Sequence, residues 1–174
     1  MADRSTSTRF GVVDVATATR GTGLEFLTQM QSGVHPAAPF AEVIGMRLVE
    51  ASAGRVVFDA DPSARFYNPL GTVHGGWLAS LLDSAMGCAV HSMLQAGQGF
   101  TTVEMKVNYV RPVLEQTGTV RCAGSVIHFG GRIATSEGRI VDGAGKLIAH
   151  GVETCMIVDV ARVNVAVNTP REAL

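Results

Sequence analysis

A chain of 174 residues, 47% of them hydrophobic and 17% charged, fits one domain with enough length to bury a real core. A net charge of -1 and the lack of any long basic block exclude the clustered Lys and Arg on which phosphate-backbone binding depends, so no nucleic-acid partner is expected. No apolar run approaches the roughly 18 residues that span a bilayer and no signal-peptide core opens the chain, so the expectation is a cytoplasmic protein with no membrane association.

In chain order, residues 1–22 are rich in Ser, Thr and Ala, with one short apolar run at Val12 and Val13, and form an arm left unassigned or mobile. "GLEFLTQMQ", Gly23 to Gln31, has the spacing of a short amphipathic helix that ends before Gly33 and Pro36. "AEVIGMRLVEASAGRVVFDADP", from Ala41, gives two extended runs around the turn "ASAG", closed by Pro62: a hairpin. From Gly76 to Gln95 apolar residues recur at 77, 78, 81, 82, 85, 86, 89, 90, 93 and 94, the period of the one long helix. After "AGQG", the segments "FTTVEMKVNYVRP", "GTVRCAGSVIHF", "RIATSEGRIVD" and "KLIAHGVETCMIV" read as strands of an antiparallel meander. The domain so drawn runs from 23 to 160, with a tail at 161–174.

The polar residues narrow the chemistry. Cys88, Cys122 and Cys155 sit singly among apolar neighbours and read as buried thiols of a reducing compartment. His35, His91, His128 and His150 form no metal-ligand spacing, and no metal is expected. A low charged fraction on an apolar chain further implies that a second copy covers some of its surface.

The stretch "NPLGTVHGGWLASLLDSAMG", residues 68–87, carries the strongest signal. Asn68, Pro69 and Gly71 are turn formers, so the loop can fold back over the helix start. Gly75 and Gly76 then stand where the first helical N–H groups lack intrahelical partners and the macrodipole is positive, a setting suited to an oxyanion; the two glycines alone equally suit a tight turn into a packed helix. Asp83 follows nine residues after His74 on an otherwise apolar helix, and acids are rarely buried without a partner or a task. Small neighbours at Ala79, Ser80 and Gly87 leave a groove beside it. At about 1.5 Å per residue, Asp83 lies roughly 13 Å along the helix from His74, beyond hydrogen-bond reach. Two such helices packed antiparallel across a two-fold axis would bring the "HGG" end of one to the middle of the other, forming two identical composite sites. The alternative is a core acid paired with a buried group such as His91.

This order of elements, with "HGG" at the helix start, resembles the hotdog fold over residues 36–158: an α+β architecture in which a curved antiparallel sheet wraps one long central helix. Asn68, "GTVHGG", Asp83 and the Thr-rich "TTVEMKVNYVRP" together resemble the phenylacetyl-CoA (PaaI-like) type of hotdog acyl-CoA thioesterase. The resemblance implies that Asn68 and the Gly75 N–H polarise the thioester carbonyl and that Asp83, from the opposite subunit, is general base or nucleophile. It further implies that Thr102, or else Thr101, places the acid and its water, and that His74 orients the loop or assists the leaving thiolate. A homodimer, paired into a dimer of dimers, is implied in the same way.

A thioester carbonyl has little resonance stabilisation and its thiolate leaves easily, so a carbonyl polariser and a placed carboxylate suffice without a nucleophilic triad. No "GxSxG" elbow is present. The substrate is expected to be an aryl- or medium-chain acyl-CoA; coenzyme A is part of that substrate and no separate cofactor is implied. Arg111 and Arg132, at strand ends, are candidates for its nucleotide phosphates. Tyr67 and Trp77, which flank the motif loop, lead the candidates for the acyl pocket, with Met46, Phe66 and Leu81 behind them and Gly76 beside the carbonyl site. A noncatalytic acyl-CoA-binding module, and after it a hotdog hydratase, are the competing readings.

Overall fold

The computed structural model describes residues 8–162, so 1–7 of the arm and 163–174 of the tail lie outside the described residues. The helix predicted at Gly23–Gln31 is present as α2, held at its start by a reciprocal capping box between Thr22 and Glu25. Residues 8–22, which the sequence left unassigned, carry a four-residue helix, α1 (Val15–Ala18). Phe10 bridges to Ala37, and the Arg9 guanidinium donates to the carbonyls of Gly33 and Val34.

Ahead of the first strand the structure differs from the sequence reading. "PFAEVI" is a helix, α3 (Pro39–Ile44), not the beginning of an extended run. Pro39 presets the first helical φ, and Gly45, at φ 69°, ends the helix in the left-handed conformation only glycine adopts readily. The hairpin that follows is β1 (Met46–Ser52) and β2 (Arg55–Ala60), turned at Ala53 and Gly54. The long helix, α4 (Gly75–His91), stops short of the predicted Gln95. The apolar spacing runs on because the turn beyond it still buries Leu94, while Ser92 Oγ donates to the Ala89 carbonyl and accepts the Gly54 N–H.

Four more strands follow: β3 (Gln98–Tyr109), β4 (Val120–Phe129), β5 (Ile133–Val141) and β6 (Leu147–Asp159). All six form one antiparallel sheet in the order β1-β2-β4-β5-β6-β3. The predicted four-strand meander therefore holds only for β4-β5-β6. β3 does not pair with its successor; it crosses to the free side of β6 and forms an edge. The physical reason is length: residues 110–119 between β3 and β4 exceed a hairpin loop of about 2–5 residues, whereas the turns around "GG" and "GAG" do not.

The helix lies in a trough made by glycine. Gly124, Gly138 and Gly151 face one another in register on β4, β5 and β6. A Cβ at Gly124 would stand 2.2 Å from the Ala85 carbonyl oxygen, and one at Gly138 would stand 2.8 Å from Met86 Cγ. With side chains absent there, α4 beds into the sheet and Leu81, Leu82, Ala85, Met86, Ala89 and Val90 lose all exposure. Among the described residues no helix is long and apolar enough to cross a membrane.

Candidate active site

At the start of α4 the motif loop is built by its own side chains. Asn68 Oδ1 accepts the N–H of Leu70 at 2.9 Å, and Asn68 Nδ2 donates to Thr72 Oγ1 at 2.9 Å. Gly71, at φ 80°, makes the reversal. His74 is the N-cap: its Nδ1 accepts the Gly76 N–H at 2.9 Å, which assigns the ring proton to Nε2. The Trp77 N–H goes to the His74 carbonyl at 3.0 Å. Of the first three helical N–H groups, this leaves Gly75's without a partner among the described residues. The Gly76 N–H, a candidate for the carbonyl site, is already spent on His74.

A cleft of about 390 Å³ opens beside Gly75, between Thr72 and Val73 on one side and Tyr109 and Arg111 on the other. The Tyr109 ring sits 3.2 Å from where a Gly75 Cβ would be, so only glycine leaves that N–H open without displacing the ring. Arg111 is exposed, and its Nε donates to the Leu147 carbonyl at 3.1 Å.

Two turns along α4 a second cavity, of about 350 Å³, takes Asp83, Ser84 and Gly87 as one wall and Phe100, Thr101 and Thr102 as another. Met46 and Phe58 of the first hairpin, and Ala41 of α3, line its apolar end. Thr102 Oγ1 lies 3.1 Å from Asp83 Oδ1, so the predicted acid and its predicted hydroxyl meet. The two cavities share no lining residue. One chain thus carries the Asp83 carboxylate and the open Gly75 N–H in separate hollows, about 12 Å apart along the helix by its rise.

Several predicted site residues sit elsewhere. Trp77 is buried in the core, stacked on Phe66 at 5.9 Å between centroids, with Nε1 donating to the Ile44 carbonyl. The Tyr67 hydroxyl accepts the Glu115 N–H at 2.8 Å, and Tyr67 lines neither cavity. Nearness in sequence to the motif loop misled: the loop turns these rings inward, and only Met46 of the expected pocket residues reaches the Asp83 cavity, Phe66 and Leu81 being core. Arg132, in the β4–β5 turn, is exposed and borders neither hollow. His91 is not the partner of Asp83; it packs against Phe26 and Phe100 with Nε2 unpartnered, and burial lowers its pKa.

The residue that sequence reasoning missed is Glu153. It is 1% exposed on β6, and its Oε1 lies 3.0 Å from Thr102 Oγ1 and 2.9 Å from Cys155 Sγ. Burial first, and then the nearby charge of Asp83, push its carboxyl up to about 7 against the opposing hydrogen bonds. The period of the strand held the clue: Gly151, Glu153, Cys155 and Ile157 alternate inward, which places the acid on the helix-facing side.

Known proteins are similar to this chain in sequence and fold. A family model described as the thioesterase superfamily matches residues 70–149. The human acyl-coenzyme A thioesterase 13 is 29% identical over 130 residues, 74% of this chain and 91% of its own length. The solved structure of conserved protein PA5202 from Pseudomonas aeruginosa is 33% identical, with a TM-score of 0.65 over 70% of this chain and 94% of that one. The phenylacetic acid degradation protein PaaI from Thermus thermophilus, solved in a mutant form, is 28% identical with a TM-score of 0.62, covering 68% of this chain and 97% of that one. With its six-stranded antiparallel sheet around one long helix, the chain is a hotdog-fold thioester hydrolase of the thioesterase superfamily, and PaaI-like thioesterases are among the solved structures it resembles.

Proposed function

We propose that the protein hydrolyses the thioester of an aryl- or medium-chain acyl-CoA, phenylacetyl-CoA among the aryl substrates, in sites shared between two subunits. The observation that carries this reading is the Thr102-bonded Asp83 in a largely apolar cavity, while the open Gly75 N–H lies in a different hollow of the same chain. A second copy, with its α4 antiparallel, supplies each half with the other. The edge strand β3 supports the pairing: it has a neighbour on one side only and exposes Val103 and Tyr109. A dimer of such dimers is the assembly that the family resemblance favours.

In this reading the acyl chain lies in the Asp83 cavity and its carbonyl oxygen meets the Gly75 N–H of the facing subunit. The Asn68 amide has a second N–H beyond the one given to Thr72 and can turn it to the same oxygen. Asp83 takes a proton from water as the water oxygen bonds to the carbonyl carbon; the oxyanion is held by the donors; the C–S bond then breaks, and the thiolate leaves and is protonated. Direct attack by Asp83 would expel the thiolate to form a mixed anhydride that water then opens; after a single turnover in ¹⁸O-water, label in Asp83 Oδ would identify this route with water adding at the Asp83 carbonyl. His74, with its proton on Nε2, stands at the thiolate side, and Arg111 at the mouth of the Gly75 cleft faces the nucleotide phosphates. Thr101, on the wall beside Thr102, bounds the acyl group. The three free thiols suit a reducing cytoplasm.

The test is thiol release from a panel of aryl and aliphatic acyl-CoAs, followed with a thiol-reactive dye. Turnover that ranks the acyl groups supports the proposal. A rise in melting temperature with acyl-CoA but no released thiol would instead identify a binding module.

A further inference from the structure

Among the described residues Glu153 is the one buried carboxylic acid, and the chemistry proposed above makes no use of it. Its surroundings are unusual for an acid. From α4 it meets Asp83 and Cys88, with its Oε1 3.6 Å from where a Gly87 Cβ would stand. From β3 it meets Thr102, and Met105 faces it in register. From β5 its register partner is Ser136, fully buried with an unpartnered hydroxyl, and along β6 its neighbour is Cys155. None of these is a cation. His91, one turn beyond Gly87, is turned onto Phe26 and Phe100. Glu104, Lys106 and Glu137 stand at alternate strand positions, on the exposed face.

Two carboxyl groups therefore bracket one hydroxyl, with Thr102 Oγ1 at 3.1 Å from Asp83 Oδ1 and 3.0 Å from Glu153 Oε1. A hydroxyl has one proton to donate, so both acids cannot accept from it. Two carboxylates this close with no cation between them do not both ionise either. A single proton on the pair closes the arrangement as a directed chain, and the deeper burial of Glu153, 1% exposed beside the half-buried Asp83, puts the proton there: the Cys155 S–H donates to Glu153 Oε1, protonated Glu153 donates to Thr102, and Thr102 donates to Asp83.

We propose that Glu153 is a positioning residue: as a neutral acid it donates to Thr102 Oγ1, turns the single Thr102 proton onto Asp83 Oδ1, and leaves Asp83 Oδ2 as the oxygen that acts on water. This rests on the reading of Asp83 given above. Ionised Glu153 would compete for the Thr102 proton and release Asp83 from its donor, so kcat falls on the alkaline side while KM, set by the acyl pocket and the nucleotide contacts, stays in place. The transition falls near the Glu153 value of about 7.

The experiment is the pH profile of kcat and KM, by thiol release, for the wild type, Asp83→Asn, Glu153→Gln, Glu153→Leu and Thr102→Val. Glu153→Gln is expected to keep most of the acid-side kcat, because its amide still donates to Thr102, and to lose the alkaline fall. Glu153→Leu, with no donor and no proton to lose, is expected to show a kcat about tenfold below the acid-side wild-type value and no alkaline fall of its own, the size of one hydrogen bond to a charged group, with KM unchanged. An alkaline fall retained in Glu153→Gln, or full kcat in Glu153→Leu, overturns the proposal. Should a Glu153 variant fold poorly on its own, the Thr102→Val background decides: there Glu153→Leu adds no further loss in kcat per folded protein if the two act in one chain, and an additive loss contradicts it. Asp83→Asn separates the levels. If it turns over like the wild type, the reading of Asp83 falls and takes this proposal with it; if it is inactive while the Glu153 variants follow the wild-type profile, only the role of Glu153 falls.

Discussion

The two ends of the candidate site handle polarity in opposite ways. At the start of α4 the proposed working group is backbone: His74 caps Gly76, the loop satisfies itself through Asn68, and the Gly75 N–H is left open in an exposed cleft. Two turns on, the proposed working group is a side chain, and Asp83 is tied through Thr102 to the buried Glu153 and Cys155. A donor that must meet a charge only in the transition state is best held rigid by geometry, whereas a base must be oriented and kept ionised by its neighbours. The first half depends on absent side chains and the second on a specific set of present ones, so the two should fail differently when altered.

The largest effect is expected at the carboxylate. Asp83→Asn should lower kcat by about a hundredfold or more while leaving KM near its starting value, measured by thiol release under saturating acyl-CoA. The donor half should respond to bulk: Gly75→Ala puts a Cβ 3.2 Å from the Tyr109 ring and should lower kcat/KM by on the order of 10 to 100-fold, with partial recovery in the double variant with Tyr109→Ala. A loss that Tyr109→Ala does not relieve would show that the ring does not mediate it.

Beneath both halves lies the glycine trough, and Gly124→Ala should destabilise the fold by about 1–3 kcal/mol, read from denaturant midpoints, because the added methyl meets the α4 backbone rather than a flexible side chain. The buried acid should give a smaller, pH-dependent effect. Glu153 holds its proton up to about 7 when folded against 4.5 ordinarily, so the folded state binds that proton more tightly. Its contribution to stability is full below pH 4.5, falls as pH rises towards 7 and stays low above that. Melting curves of wild type and Glu153→Gln should therefore run together in acid and separate above neutrality, with the variant more stable by on the order of 2 kcal/mol. Parallel curves at all pH values would contradict the burial of an ionisable group there. Smallest of all, Arg111→Ala should raise KM a few-fold in low salt and less in high salt, as an exposed charge meeting phosphates does.

Much of the fold was legible because its signals are local. The apolar period marked α4, amphipathic spacing and the turn formers Gly33 and Pro36 marked α2, and β-type segments bounded by turn formers marked the strands. What was hidden depends on distance. The place of β3 beside β6 is a pairing between residues far apart in the chain, and "PFAEVI" has the apolar look of a strand until Pro39 and Gly45 are weighed as helix ends. In the site, Asp83 and Thr102 stand together as the family resemblance implied, whereas Tyr67 and Trp77 were drawn in by adjacency to the loop and pack inward instead. Glu153 was overlooked because its segment was taken whole as an apolar strand rather than face by face.

The central claim is that the Gly75 half and the Asp83 half of a working site come from different chains. Asp83→Asn and Gly75→Ala, each impaired alone, should be unfolded together, refolded as a mixture and assayed for thiol release. Random pairing makes half the dimers mixed, and each mixed dimer contains one site with both halves intact, so the account predicts recovery of about a quarter of wild-type activity. A mixture no more active than the mean of the two variants would place both halves in one chain and contradict it.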